Sequence, residues 1–137
     1  MDIREYKEYN GQEIAALYAS VGWTAYTSDL QTLKRGFEGS LDVLAAYENG
    51  ELVGVIRTVG DGATIVFVQD ILVRPDMQRR GVGTALMRAM LVKHRGVRQI
   101  ELCTDAEEAT AAFYRSLGFR ELGELGCRGF MLICSGE

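Results

Sequence analysis

Apolar residues recur at two different periods along the chain, and the switches between them mark its elements. Ile3 to Tyr9 alternates apolar with charged residues, which predicts an edge strand. Asn10, with Glu13 three positions on, has the form of a helix cap, and Ile14, Leu17, Tyr18 and Val21 then recur at helical spacing until Gly22. Ser28 with Gln31 forms a second such pair ahead of the stripe Leu30, Leu33 and Phe37. From Asp42 the period shortens. Val43 to Tyr47 and Leu52 to Ile56 flank Asn49-Gly50, the strongest hairpin signal in the sequence, and Asp61-Gly62 opens a second turn before Ile65 to Val73. These three strands predict an antiparallel meander, which Pro75 ends.

A helix follows, with Val82, Leu86, Met87 and Met90 on one face and Gly96 at its end, and then an alternating strand, Gln99 to Cys103. Strand, helix, strand in this order implies a right-handed crossover, so the strand after Gly96 is expected to run parallel to the one ending at Val73. Thr104 and Asp105, with Glu107 and Glu108, are expected to cap a last helix whose buried face is Ala109, Ala112, Phe113 and Leu117. Phe119 to Leu122 and Gly129 to Cys134 read as two final strands. The whole is an α+β layout, an α/β/α sandwich around one mixed, mostly antiparallel twisted sheet, in a single domain over residues 1–137.

Composition narrows the chemistry. The 137 residues fit one core, and 47% hydrophobic with 25% charged residues is the balance of a globular chain. A net charge of −4 argues against a chain-wide basic surface, so neither nucleic acid nor membrane is an expected partner. The start, Met-Asp-Ile-Arg-Glu-Tyr-Lys-Glu, has no apolar run of a signal peptide, so a cytoplasmic location is expected. Cys103, Cys127 and Cys134 lack a CxxC pair and read as small core residues of strands, and the one histidine, His94, reads as a solvated helix end. No metal site is expected, and a triad built on a positioned histidine has no support.

One segment stands out against the acidic total. Gln78-Arg79-Arg80-Gly81-Val82-Gly83-Thr84 lies between a strand and a helix, where unpaired backbone N–H groups converge at a helix start. Gly81 and Gly83 leave space for a phosphate, Thr84 adds a hydroxyl, and the two arginines suit a pyrophosphate. No Lys follows Gly83, which excludes a Walker A loop, and a meander rather than a first parallel strand precedes it, which is unlike a dinucleotide fold.

The string from Asp70 through Ile71, Leu72 and Val73 to Met87 resembles the acetyl-coenzyme A signature of the GNAT N-acetyltransferases, whose loop reads Gln/Arg-x-x-Gly-x-Gly/Ala. Ala112-Phe113-Tyr114-Arg115-Ser116-Leu117-Gly118-Phe119 is similar to that family's late helix, where a Tyr precedes Leu-Gly-Phe at this spacing. The resemblance implies an acetyl-CoA-dependent transfer to a primary amine by direct attack in a ternary complex. It further implies that a central parallel strand pair splays so that Ile71, Leu72 and Val73 meet the pantetheine arm. Gln78, Arg79, Arg80, Gly81, Val82, Gly83 and Thr84 would hold the pyrophosphate, and Tyr114 would protonate the departing thiolate.

Relatives that use a side-chain base carry a carboxylate or His four or six residues ahead of the position of Val73. Here those places hold Gln69 and Phe67. Asp70 is adjacent, but simple alternation points it to the other face unless a bulge rotates it; it is either a base acting through water, an amine anchor or a structural strand-end carboxylate. Trp23, Tyr26 and Phe67 are candidates for an aromatic acceptor wall, with Gln69 beside them. The run Val21-Gly22-Trp23 and residues 57–62 are similar to the plant serotonin (arylalkylamine) branch. A small-molecule amine is the expected acceptor; an acetyltransferase of protein amines, a non-catalytic acetyl-CoA sensor and a module for another phosphate ligand are the competing readings. Phe130 to Cys134 either completes the sheet or builds a homodimer.

Overall fold

The structure, a computed structural model, describes residues 1–134. Its elements are β1 (Asp2–Glu5), α1 (Gly11–Ser20), α2 (Thr24–Thr27), α3 (Leu30–Glu38), β2 (Asp42–Glu48), β3 (Glu51–Gly60), β4 (Ile65–Val73), α4 (Val82–Lys93), β5 (Gln99–Leu102) and α5 (Glu108–Ser116), with 3-10 turns at Pro75–Met77 and Leu122–Leu125. They fall into two compact units, Met1–Cys103 and the described residues from Thr104 onward.

The first unit is the sheet with its helices. The strands lie in the order β1-β2-β3-β4-β5, antiparallel except for the parallel pair β4–β5. The expected meander and crossover are both present. Asn49 and Gly50 take the two positive φ values, 52° and 80°, that a type I′ turn requires, and so fix the register of β2 against β3. On one face Ile14, Leu17, Tyr18, Leu33 and Phe37 pack on Ala45, Leu52, Val55 and Leu72. On the other, α4 sits so close to β3 that a Cβ on Gly54 would come within 3.2 Å of Val82 and Leu86 side-chain carbons. That close approach seats the first turn of α4 directly over the sheet.

Local chemistry moves several boundaries. Asn10 caps α1 as expected, accepting from the N–H groups of Gln12 and Glu13 at 3.0 and 3.3 Å, but the Glu13 carboxylate accepts from the Tyr6 hydroxyl at 2.7 Å instead of closing a capping box. The cap of α3 is Asp29 rather than Ser28, because its carboxylate takes both the N–H and the hydroxyl of Thr32 while Ser28 ends α2. Helix α2 itself, four residues long, is too short to leave a periodic signal.

His94 is not a solvated helix end. Its side chain is 9% exposed and bonds Asp42 through Nε2, while Lys93 reaches the same carboxylate at 3.1 Å and Thr58 donates to it at 3.1 Å. The cluster fastens the end of α4 to β2. Burial raises the Asp42 pKa but the His94 and Lys93 contacts outweigh it, so the group is held below the usual carboxylate range. Its contribution to stability is therefore present above the unfolded value, about 3.9, and is lost as pH falls through the lower folded value. Asp42→Asn is expected to cost about 1–3 kcal/mol at neutral pH, checked by urea denaturation, with a smaller difference from wild type in strong acid.

In the second unit α5 forms, but Ala109 and Ala112 are exposed and Phe113 and Leu117 only half-buried, so the expected buried face is not made. Asp105 accepts from the Glu107 N–H at 2.9 Å, and Glu107 occupies the cap position without a side-chain bond. The two expected final strands are absent: residues 119–121 lead into the turn Leu122–Leu125, and residues 127–134 pair with no strand among the described residues. A strand is stabilised by its neighbours rather than by its own propensity, and here no neighbour is present. All three cysteines are exposed, which corrects their reading as core residues.

Candidate active site

The parallel pair comes apart where the sequence motif begins. Strands β4 and β5 pair from Ile65–Gln99 to Val68–Leu102 and no further, while β4 continues to Val73. From Gln69 onward β4 bonds β3 on one side and has no strand partner on the other among the described residues; Leu72 turns its backbone groups to β3, and those of Ile71 and Val73 face the free edge. A bulge sits at this point. Thr58 faces Val68 and Arg57 faces Asp70, so Gln69 is the extra residue.

The bulge settles where Asp70 points. Phe67 opposes Val59 and Asp70 opposes Arg57, and residues 57 and 59 share one face of β3, so Asp70 is turned onto the face of Phe67 that simple alternation denied it. There it is 3% exposed and accepts from three donors. Oδ2 accepts from Tyr18 Oη and Arg57 Nε, both at 2.9 Å, and Oδ1 accepts from Tyr26 Oη at 3.1 Å. Arg57, 6% exposed, also donates through Nη1 to the Gly36 carbonyl and Ser40 Oγ. Burial opposes the Arg57 charge, but Asp70 more than restores it and the pKa is raised. Burial, and then the Asp70 charge and hydrogen bond, push the Tyr18 hydroxyl far above its ordinary value.

The sequence reading marks neither Tyr18 nor Arg57 as a site residue and places Tyr18 only on the buried stripe of α1. The signals were there: a tyrosine on a buried stripe needs a partner for its hydroxyl, and Arg57 is the one charge in the apolar run from Leu52 to Val59.

The acceptor-side candidates largely converge. Trp23 and Tyr26 each meet the Tyr18 ring edge-on, at centroid separations of 5.9 and 5.3 Å, and Gln69 Nε2 donates to Tyr26 Oη at 3.4 Å. Phe67 shares the sheet face but forms no ring pair with them among the described residues. The end of α1 explains the placement of Trp23. The N–H of Gly22 bonds Ala19 O, and that of Trp23 bonds Tyr18 O, a Schellman motif with Gly22 left-handed at φ 79°. It returns the chain so that the residue after the glycine covers the tyrosine before it.

At the other end of the free edge, the turn Pro75–Met77 is anchored by buried Met77, and Gln78 Nε2 donates to Val73 O at 3.0 Å, tying the loop to the strand. Arg79 adopts φ 65°, a left-handed conformation that costs a residue with a side chain about 1 kcal/mol. Arg79 and Arg80 are exposed, and neither is in a salt bridge among the described residues. In α4 the N–H of Ala85 bonds Gly81 O at 3.0 Å; those of Val82, Gly83 and Thr84 precede the first full turn and have no helical acceptor. Free cations, free donors and the positive end of the helix dipole meet here.

Tyr114 belongs to the second unit and repeats the α1 device. The N–H of Gly118 bonds Arg115 O, that of Phe119 bonds Tyr114 O, and the Phe119 and Tyr114 rings stand edge-on 5.9 Å apart. The Leu-Gly-Phe of the motif is thus a helix stop that folds an aromatic ring onto the tyrosine. Burial, and then the charge of Asp105, raise the Tyr114 pKa above 10.0. Gly118 has φ 96°, so Gly118→Ala is expected to cost about 1 kcal/mol and to loosen the Tyr114 ring, seen as faster hydrogen exchange at the Phe119 amide.

A GNAT acetyltransferase domain model matches residues 39–121, which span β2 to the end of the Tyr114 motif. The chain belongs to the GNAT family. A solved GNAT acetyltransferase, SP0256 of Streptococcus pneumoniae TIGR4, is 34% identical and superposes with a TM-score of 0.88 over 98% of each chain. Among curated proteins, the chloroplastic serotonin N-acetyltransferase 2 of Oryza sativa subsp. japonica is 32% identical over 80% of this chain and 57% of its own length. An uncharacterized N-acetyltransferase, ycf52, of Pyropia yezoensis is 28% identical over 82% of this chain and 66% of its own. The chain therefore spans about three-fifths of the length of these curated relatives. The family transfers acetyl groups from acetyl-CoA to amines, and the split strand and helix-start loop lie within the matched residues.

Proposed function

We propose that this chain transfers an acetyl group from acetyl-CoA to the primary amine of a small molecule, by direct attack within a ternary complex. The observation that carries this reading is the free edge of β4 running into the donor-rich start of α4, a strip and a cradle that fit an extended arm ending in a pyrophosphate. Acetyl-CoA supplies an activated thioester when bound. The outward-facing backbone groups of Ile71 and Val73 offer strand-like hydrogen bonds to the pantetheine amides, with Leu72 between them bonded to β3. Residues 78–84 take the pyrophosphate, Arg79 and Arg80 by charge and Val82, Gly83 and Thr84 by backbone N–H.

Tyr114 is assigned the proton given to the departing thiolate, and its raised pKa keeps that proton in place through neutral pH. Asp70 is assigned to positioning rather than to proton removal. Its carboxylate is already engaged by three donors, Tyr18, Tyr26 and the Arg57 cation, and so holds three elements in register. It holds Tyr26, and with it Trp23, as the aromatic wall for the acceptor, and water takes the ammonium proton. Thiol release screened across polyamines, arylalkylamines, amino acids and aminoglycosides tests the acceptor class. The wall of Trp23 and Tyr26 favours arylalkylamines, and turnover confined to peptide amines would redirect the reading to protein substrates.

A further inference from the structure

The charges of this chain are segregated along it. Residues 77–100 hold six of the fifteen Lys and Arg and none of the nineteen Asp and Glu, while the other residues hold nine of the first and all of the second. A chain of net charge −4 therefore carries one strongly basic element, made of the loop ahead of α4, the helix itself and the turn that follows it.

Helical spacing sorts these cations by face. Val82, Leu86, Met87 and Met90 are buried against the sheet, so Gly81, Arg88, Val92 and Arg95 form a row on the opposite side, and all four are exposed. Lys93 is outside that row, its ammonium engaged by Glu5 and Asp42 at 3.0 and 3.1 Å. Arg79, Arg80, Arg88 and Arg95 form no ion pair among the described residues. The row begins at the cradle: at a rise of 1.5 Å per residue, Arg88 stands about 10 Å and Arg95 about 20 Å along the helix from Gly81. A cation after the last turn complements the helix dipole, which accounts for Arg95 alone. It does not account for Arg88 in mid-helix, nor for a segment of this length without one acid.

We propose that this row steers the coenzyme to its cradle. The inference rests on acetyl-CoA being the acetyl donor. Coenzyme A carries about four negative charges near neutral pH, on its pyrophosphate and its 3′-phosphate. Arg88 and Arg95 draw those phosphates to the outer face of α4 and along it to residues 78–84, while the acidic remainder of the chain turns them away. Arrival is quickened with no lasting contact to either arginine. Such attraction reaches about 8–10 Å in physiological salt, which matches the steps of the row, so the fields of successive arginines overlap.

Stopped-flow mixing of the full chain with fluorescent etheno-CoA, at about 0.02 M and about 0.5 M salt, tests this. In low salt Arg88→Gln/Arg95→Gln is expected to lower the association rate about 3- to 10-fold and to leave the dissociation rate unchanged. Arg88→Lys/Arg95→Lys keeps the charge and is expected to match wild type, and in high salt all three associate alike. Val92→Lys adds a cation to the row at a site 60% exposed, and is expected to raise the low-salt association rate about twofold; it stands if the Gln variant fails to fold. A Gln variant that associates like wild type, or a Val92→Lys variant without gain, overturns the proposal. Faster dissociation with association unchanged also overturns it, since it makes the two arginines contacts of the bound coenzyme. A wild type that binds no etheno-CoA overturns the assignment of acetyl-CoA itself, and the steering with it.

Discussion

Asp70→Ala is expected to lower stability by about 3–5 kcal/mol, because it leaves the Arg57 guanidinium buried without its counter-ion and strips the Tyr18 and Tyr26 hydroxyls of their acceptor. For a chain of this size that is a fall in melting temperature on the order of 10 °C. Asp70→Asn keeps the shape and an acceptor oxygen but not the charge, and is expected to lose less. The same pair separates a positioning role from a proton-accepting one. If Asp70 positions Tyr26, the Asn variant raises the KM for amine with a smaller change in kcat, and its pH–rate profile keeps the wild-type acid limb. Loss of that limb in the Asn variant would make Asp70 the base. An Ala variant that melts with wild type would show that the bonds of Asp70 to Tyr18 and Arg57 do not fasten α1, β3 and β4 together.

Tyr114→Phe is expected to reduce kcat by about 10²-fold with little change in coenzyme affinity, since it removes the hydroxyl proposed as proton donor and keeps the ring that packs on Phe113 and Phe119. Folding stability should be nearly unchanged for the same reason. Because the hydroxyl is held above its ordinary pKa of 10.0, the wild-type rate should show no basic limb from this group below that pH. Turnover equal to wild type would remove Tyr114 from the reaction.

What could be read from the sequence was local or periodic. The Asn49–Gly50 turn, the alternation in β2 to β4 and the 3.6-residue stripe of α4 each carry their own geometry, and the crossover rule then orders β4 and β5 without long-range information. The glycine loop was legible because a helix start is a local object. The role of Asp70 was not, since one extra residue at Gln69 reverses the face of everything after it, and no residue type announces a bulge of this kind. His94 shows the same limit: its partner Asp42 is 52 positions away, so the flanking Lys93 and Arg95 gave the wrong surroundings. The last apolar segment reads as a strand because its composition is that of one, yet a strand exists only against an edge, and its edge is not supplied by neighbouring sequence.

The split between β4 and β5, with the loop that follows, is proposed to make this chain a two-substrate acetyltransferase. Initial rates of thiol release, measured while acetyl-CoA and an accepted amine are each varied, test it most directly. Release is expected to require both substrates, to give intersecting double-reciprocal lines and to be matched mole for mole by acetylated amine. Release at the same rate without amine, or tight acetyl-CoA binding with no transfer to any amine of the panel, would contradict it.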